Sequence, residues 1–166
     1  MARRSRAVMW VGMWLLILSG AVVSGADTPN EKAVRELFAA IDAGKVERIR
    51  ELVREDVALR SVDGTQSFNR DTLLQAMREF YAAFPDNKHV IGKTVAAGDL
   101  VAVMVTCHAT SRGPYEGAAP TGRKVTFGGI SILRFENGRV REWWALDDNL
   151  TLMQQLGMEL KPRSQK

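Results

Sequence analysis

The chain has 166 residues, a length that fits one domain. Its 23 Lys and Arg outnumber 19 Asp and Glu, for a formal charge of +4. Arg3, Arg4 and Arg6 account for three of those charges, and no basic run with interleaved aromatics follows them, which excludes the electrostatic footprint of a nucleic-acid binder.

Those arginines open a segment with the pattern of a secretory signal peptide. An apolar stretch from Val8 to Leu18 follows, and Ser24-Gly25-Ala26 puts small residues at the cleavage position. Residues 1–26 are therefore expected to be removed, leaving a domain over 27–166 that is exported, periplasmic or secreted, with no stable membrane anchor. The other reading is a single retained membrane anchor, but the apolar core is shorter than the roughly 20 residues a spanning helix needs.

Helices come first. Asp27 to Asn30 supplies capping residues and a proline, and Ala33, Val34, Leu37, Phe38 and Ile41 then recur at helical spacing up to Gly44. A second short helix is expected from Lys45 to Arg54, with Val46, Ile49, Leu52 and Val53 facing inward. Val57 to Ser61 reads as a short strand and Asp63-Gly64 as a turn. Asn69 caps a third helix, whose Leu73, Leu74, Met77, Phe80, Tyr81 and Phe84 form an apolar stripe ended by Pro85.

From Lys88 onward the period changes to two. Strands are expected at 88–97, 100–111, 123–135 and 139–146, with Gly98-Asp99 turning the first pair and a Gly-, Ala- and Pro-rich loop over 114–122. Glu136-Asn137-Gly138 marks a tight hairpin, since Asn-Gly accepts the positive φ angles the turn requires. A last helical turn holds Leu150, Leu152, Met153 and Leu156 and closes at Gly157. Helices followed by long meandering strands argue an α+β fold with a mainly antiparallel sheet. A curved sheet that three short helices cannot cover leaves a concave cavity, the usual kind of small-molecule site.

The segment PTGRKVTFGGISILRFENGRVREWWALDDNLTLMQQLG resembles the C-terminal part of the SnoaL-like polyketide cyclase and ester cyclase families, of the NTF2-like superfamily. The upstream FYAAFPDNKHVIGKTVAAGDLVAVMVTCHATSRGPYEG continues the likeness, which covers roughly Glu31 to Gly157. The resemblance implies an NTF2-like cone with three N-terminal helices on a curved sheet. It also implies cofactor-free acid–base chemistry on a small carbonyl compound. The family's proton-shuttling aspartate, just after the strand's tryptophan, falls at Ala145, and a frequent family histidine falls at Ser111. Asp148 matches a second family acid, and Asp147 is a candidate substitute for the first.

The residues themselves offer several candidates. Asp147 and Asp148 end the last strand, where at most one should face the cavity. A carboxylate desolvated there suits proton transfer next to a carbonyl, whereas Asp148 could equally cap the following helix. His108 shares a strand face with Met104 and Thr106 and is either a pocket base or a structural histidine. Tyr81 brings a hydroxyl able to meet a ligand carbonyl. Trp143, Phe38, Met104 and Phe127 are candidate walls, or plain core. Trp143 and Trp144 should divide between the two sheet faces. Gly128-Gly129 reads as a bulge or a point of tight curvature. Cys107 reads as a buried, inert thiol. Two histidines and one cysteine at these spacings predict no metal site, and the lack of a P-loop or dinucleotide fingerprint predicts no cofactor.

Three readings remain: an acid–base enzyme acting on a carbonyl compound, a non-catalytic module holding a small apolar molecule, and a structural dimerisation domain that buries its outer sheet face as a homodimer.

Overall fold

The computed structural model describes residues 27–61, 67–159 and 161. The expected signal peptide and the Asp63-Gly64 turn lie outside the described residues. Helices α1 (Pro29–Asp42), α2 (Val46–Leu52) and α3 (Arg70–Ala83) precede most of the sheet. Strands are β1 (Val53–Arg60), β2 (Ser67–Phe68), β3 (Lys88–Ala97), β4 (Leu100–Thr110), β5 (Lys124–Glu136) and β6 (Arg139–Asp147), with α4 (Asn149–Gln155) last.

Local chemistry sets the helix boundaries. Thr28 and Glu31 form a reciprocal capping box on α1, with Pro29 in its first turn. Gly44, at φ +63°, carries the chain away from α1 in the left-handed conformation. Asn69 caps α3 by accepting the Thr72 amide at 2.9 Å. The second helix is shorter than its sequence predicts. Val53 and Arg54 leave it because Val53 pairs with Val140, so a β-branched residue joins the sheet where its side chain is fully buried.

The six strands run in the order β2-β1-β6-β5-β4-β3. All neighbours pair antiparallel except β1 and β6, which are parallel. Odd-numbered residues of β4 and β5 face the helices. Val101, Val103, Val105 and Cys107 are buried, and opposite them lie Leu133, Ser131, Gly129 and Phe127. Two irregularities preserve inward alignment. Gly92-Lys93 lets Ile91 and Thr94 pair with Val105 and Val103, and Arg141 lets Val140 and Trp143 oppose Phe135 and Leu133. Trp143 is therefore buried, while Trp144 turns to the outer face beside Ile132.

The Gly128-Gly129 pair is not a bulge. The β4–β5 ladder runs regularly through it, Thr106 opposite Gly128 and Val105 opposite Gly129.

Two apolar clusters lie beneath the helices. Val34, Leu37, Ile49, Leu74, Val101 and Leu133 belong to one; Phe84, Val125, Phe127, Leu152 and Leu156 belong to the other. Each such side chain contributes about 1.5–3 kcal/mol by leaving water. Among the described residues, no helix is long and apolar enough to cross a membrane.

Candidate active site

A cavity of about 240 Å³ opens between the helices and the sheet. Its walls draw on both clusters: Phe38, Ile41, Val105 and Trp143 from one, Phe127, Phe80 and Tyr115 from the other. The hollow thus marks the seam where the two cores do not interlock. Phe38, Phe127 and Trp143 are buried core residues that also line the cavity, and the Trp143 indole N–H donates to Ser131 Oγ at 3.0 Å. That bond satisfies the buried indole and fixes the ring.

Asp147 is the acid that borders it. It lines the cavity two positions beyond Ala145 on the same strand face. Its side chain is exposed and also borders a second, larger groove. Burial among the cavity walls pushes its carboxyl above its ordinary value, and the nearby His89 acts in the opposite sense. Gly129 stands directly across the ladder from it. An added methyl at Gly129 would collide with Asp147 Oδ1, so the missing side chain is the niche in which the carboxylate sits.

Asp148 takes the capping role. It accepts the Thr151 amide at 3.0 Å, and Thr151 holds its carboxyl below the ordinary value. Its position two residues after Leu146 would continue the outer face. It does not line the 240 Å³ cavity; with Asp147 it borders a larger groove described below.

Three further candidates stand elsewhere. Met104 and His108 lie on the outer sheet face, because β4 turns its odd positions to the helices. Met104 is 49% exposed, and His108 contacts Thr126 Oγ1 at 3.0 Å. The composition carried a hint: the odd positions Val101 to Ala109 are apolar throughout, whereas the even ones include Thr106 and His108. Tyr81 misses the cavity as well. Ala76, Met77 and Phe80 line it from α3, while the Tyr81 hydroxyl is buried without a hydrogen-bond partner and pushed up to about 12 by burial. Burial also pushes the Cys107 thiol up to about 12, consistent with an unreactive group.

The sequence reading missed His89. Its ring lines the cavity and packs against Phe38 at 5.4 Å between centroids. Nδ1 lies 2.6 Å from Asp42 Oδ1, which also accepts the His89 backbone N–H at 2.9 Å. Lys88 Nζ reaches the other Asp42 oxygen at 3.1 Å. Both His89 and Asp42 are largely buried. Asp42 ends α1, 47 residues from His89, and no local spacing links the two.

The loop before β5 seals one side. Ser111 is buried, and its hydroxyl accepts the Thr121 amide at 3.1 Å. The amides of Arg112 and Gly113 bond the Ala83 carbonyl, tying the loop to the end of α3. The backbone at Gly113 approaches Ala82 too closely for any side chain there. Tyr115 is thereby set against Phe80 and Phe84.

Met104, Ile130, Leu146 and Leu150 of the outer face, together with Asp147 and Asp148, line a broad groove of about 750 Å³. Among the described residues, no three His, Cys, Asp or Glu side chains meet at metal-binding spacing.

Helices roofing one face of a bent, mainly antiparallel sheet, with an acid and a histidine facing into the enclosed hollow, define an NTF2-like α+β protein. The chain belongs to the SnoaL-like polyketide cyclase family, whose model matches residues 31–156.

Solved structures agree. AclR, a proposed hydroxylase from Streptomyces galilaeus, is 27% identical with a TM-score of 0.72, covering 77% of this chain and 95% of its own. IdmH, a proposed polyketide cyclase from Streptomyces antibioticus, is 27% identical at a TM-score of 0.70, covering 80% and 100%. A proposed polyketide cyclase from Bacillus cereus is 28% identical at 0.67, covering 80% and 83%. A comparison with curated proteins found no match.

Proposed function

We propose that this chain is an exported enzyme that moves a proton at a carbon next to a carbonyl in a small, mainly apolar substrate, with Asp147 as the proton carrier and no cofactor. The observation that carries this is one carboxyl, raised by burial, facing into an apolar cavity. A carboxyl whose affinity for the proton is raised by burial is a better base toward carbon than an ordinary solvated one. A ring-closing polyketide cyclase, as IdmH is proposed to be, needs that chemistry. The cavity is small beside typical ligand sites of about 300–1,000 Å³, which favours a substrate of one or two rings.

The test is exchange of the α-protons of 2-tetralone in deuterated water, followed by proton NMR. The protein should accelerate exchange, and Asp147→Asn should abolish the acceleration with folding intact. Ala145, standing where the family carries its acid, favours a second reading in which the cavity binds such a molecule without reacting. Tight binding of 2-tetralone with no exchange would select it.

Two further points belong to this proposal. The basic and then apolar N-terminus supports export, testable by fusing residues 1–26 to a reporter active only outside the cytoplasm. The outer sheet face exposes Val90, Met104, Ile130, Ile132 and Leu146 together, a surface suited to burial against a second copy of the chain. Light scattering should give a dimer, and Ile130→Glu a monomer.

A further inference from the structure

We propose that His89 is a second proton-transfer group of the cavity, positioned by Asp42 so that Nε2 serves the carbonyl oxygen while Asp147 serves the adjacent carbon. This inference rests on the carbonyl-substrate reading above and adds a second participant to it.

Three observations place His89 in that role. Its ring lines the same cavity as Asp147, with Phe38 packed against it. Asp42 engages Nδ1 at 2.6 Å and the backbone N–H of the same residue at 2.9 Å, so one carboxylate fixes both ring and strand. A carboxylate only accepts, so Nδ1 carries a proton and Nε2 is the nitrogen left for a ligand. Among the described residues, Nε2 has no hydrogen-bond partner of its own, yet it is not a sealed orphan atom.

The surroundings match the role. Lys88 Nζ sits on the far Asp42 oxygen at 3.1 Å. Cys107 lies opposite His89 on β4 and contributes no charge at neutral pH. Asp147 is the other acid on the cavity wall, close enough for His89 to act on its carboxyl.

The step balances with these two groups alone. Asp147 carboxylate takes the α-proton, and the C–H electron pair becomes the new C=C bond of an enol. The carbonyl π pair moves to oxygen, which takes the Nε2 proton of protonated His89. Return of a proton from Asp147 to carbon and from oxygen to Nε2 restores both residues. When the enol carbon instead attacks a second carbonyl in the same molecule, a ring closes. The new alkoxide then takes its proton from Asp147, and as the first carbonyl re-forms the enol O–H proton returns to Nε2, which restores both residues.

The test uses 2-tetralone exchange with His89→Gln, which keeps a polar side chain of similar reach but cannot carry the proton. General acid catalysis is worth roughly 10²–10⁴-fold. The exchange rate should fall at least about 100-fold, with the 2-tetralone KM changed less than about threefold. Nitrogen-15 NMR of the imidazoles gives a readout independent of activity. Neutral His89 should be the Nδ1–H tautomer in the wild type, and Asp42→Asn should redistribute it and lower kcat without matching loss of binding.

A His89→Gln rate within about threefold of wild type, or an Nε2–H tautomer in the wild type, overturns the inference, even where Asp147→Asn is dead and the proposed function stands. A wild type no faster than solvent, or an Asp147→Asn variant as fast as wild type, instead removes the acid–base reading and this inference with it.

Discussion

The Asp147 carboxylate occupies the space that a side chain at Gly129 would fill. The two residues face each other across the β5–β6 ladder, and an added Cβ would meet Asp147 Oδ1 well inside contact distance. The glycine is required by the neighbouring acid and not by its own backbone, since its φ lies outside the left-handed region.

Gly129→Ala should therefore leave the fold intact and displace the carboxylate. Misplacing a catalytic group by about 1 Å costs on the order of 100-fold. We expect that loss in 2-tetralone exchange, with an unchanged circular dichroism spectrum. Full activity in this variant would mean that the carboxylate position is not critical.

Asp147 also sets a pH dependence of stability. Its carboxyl is raised in the folded state, so the folded protein holds the proton more tightly than the unfolded chain. The stability this group contributes is present below the unfolded carboxylate value and is lost as pH rises through the higher folded value. Asp147→Asn should raise Tm at pH 7 and have little effect at pH 3. A variant less stable than wild type at pH 7 would contradict the burial of this acid.

Asp148 should behave as a cap. Asp148→Ala removes the acceptor for the Thr151 amide and should cost about 1 kcal/mol in urea unfolding, while leaving exchange activity unchanged. Asp148→Asn, which can still accept that bond, should recover most of the stability. Activity lost in both variants would return Asp148 to the chemistry.

Tyr81→Phe separates packing from catalysis. The hydroxyl is buried without a partner and does not line the cavity. Its removal should be neutral or stabilising, by up to about 1 kcal/mol, with activity retained. A large fall in activity would place the hydroxyl at the substrate after all.

The fold was legible because its signals are local. Thr28, Asn69 and Gly44 punctuate helices through bonds reaching no further than four residues, and Asn137-Gly138 turns the final hairpin with φ of 51° and 74°. The choice between the last two aspartates was partly legible too: strand alternation allows only one to face inward, though it does not say which. The answer followed from the extra residue at Arg141, which sets the parity of everything after it.

The sequence by itself determined the order of helices and strands, the antiparallel hairpins and the acid pair at the end of β6, and it named Phe38, Phe127 and Trp143 as either cavity wall or core. Tertiary structure alone decided that β1 runs parallel to β6, that Met104 and His108 lie on the outer face, and that Asp42 meets His89 across 47 residues. The physical reason is range. Caps, turns and alternation act between neighbours in the chain, whereas an active site forms where distant segments are brought together by burying apolar surface, and that packing leaves no periodic trace in the residues it joins.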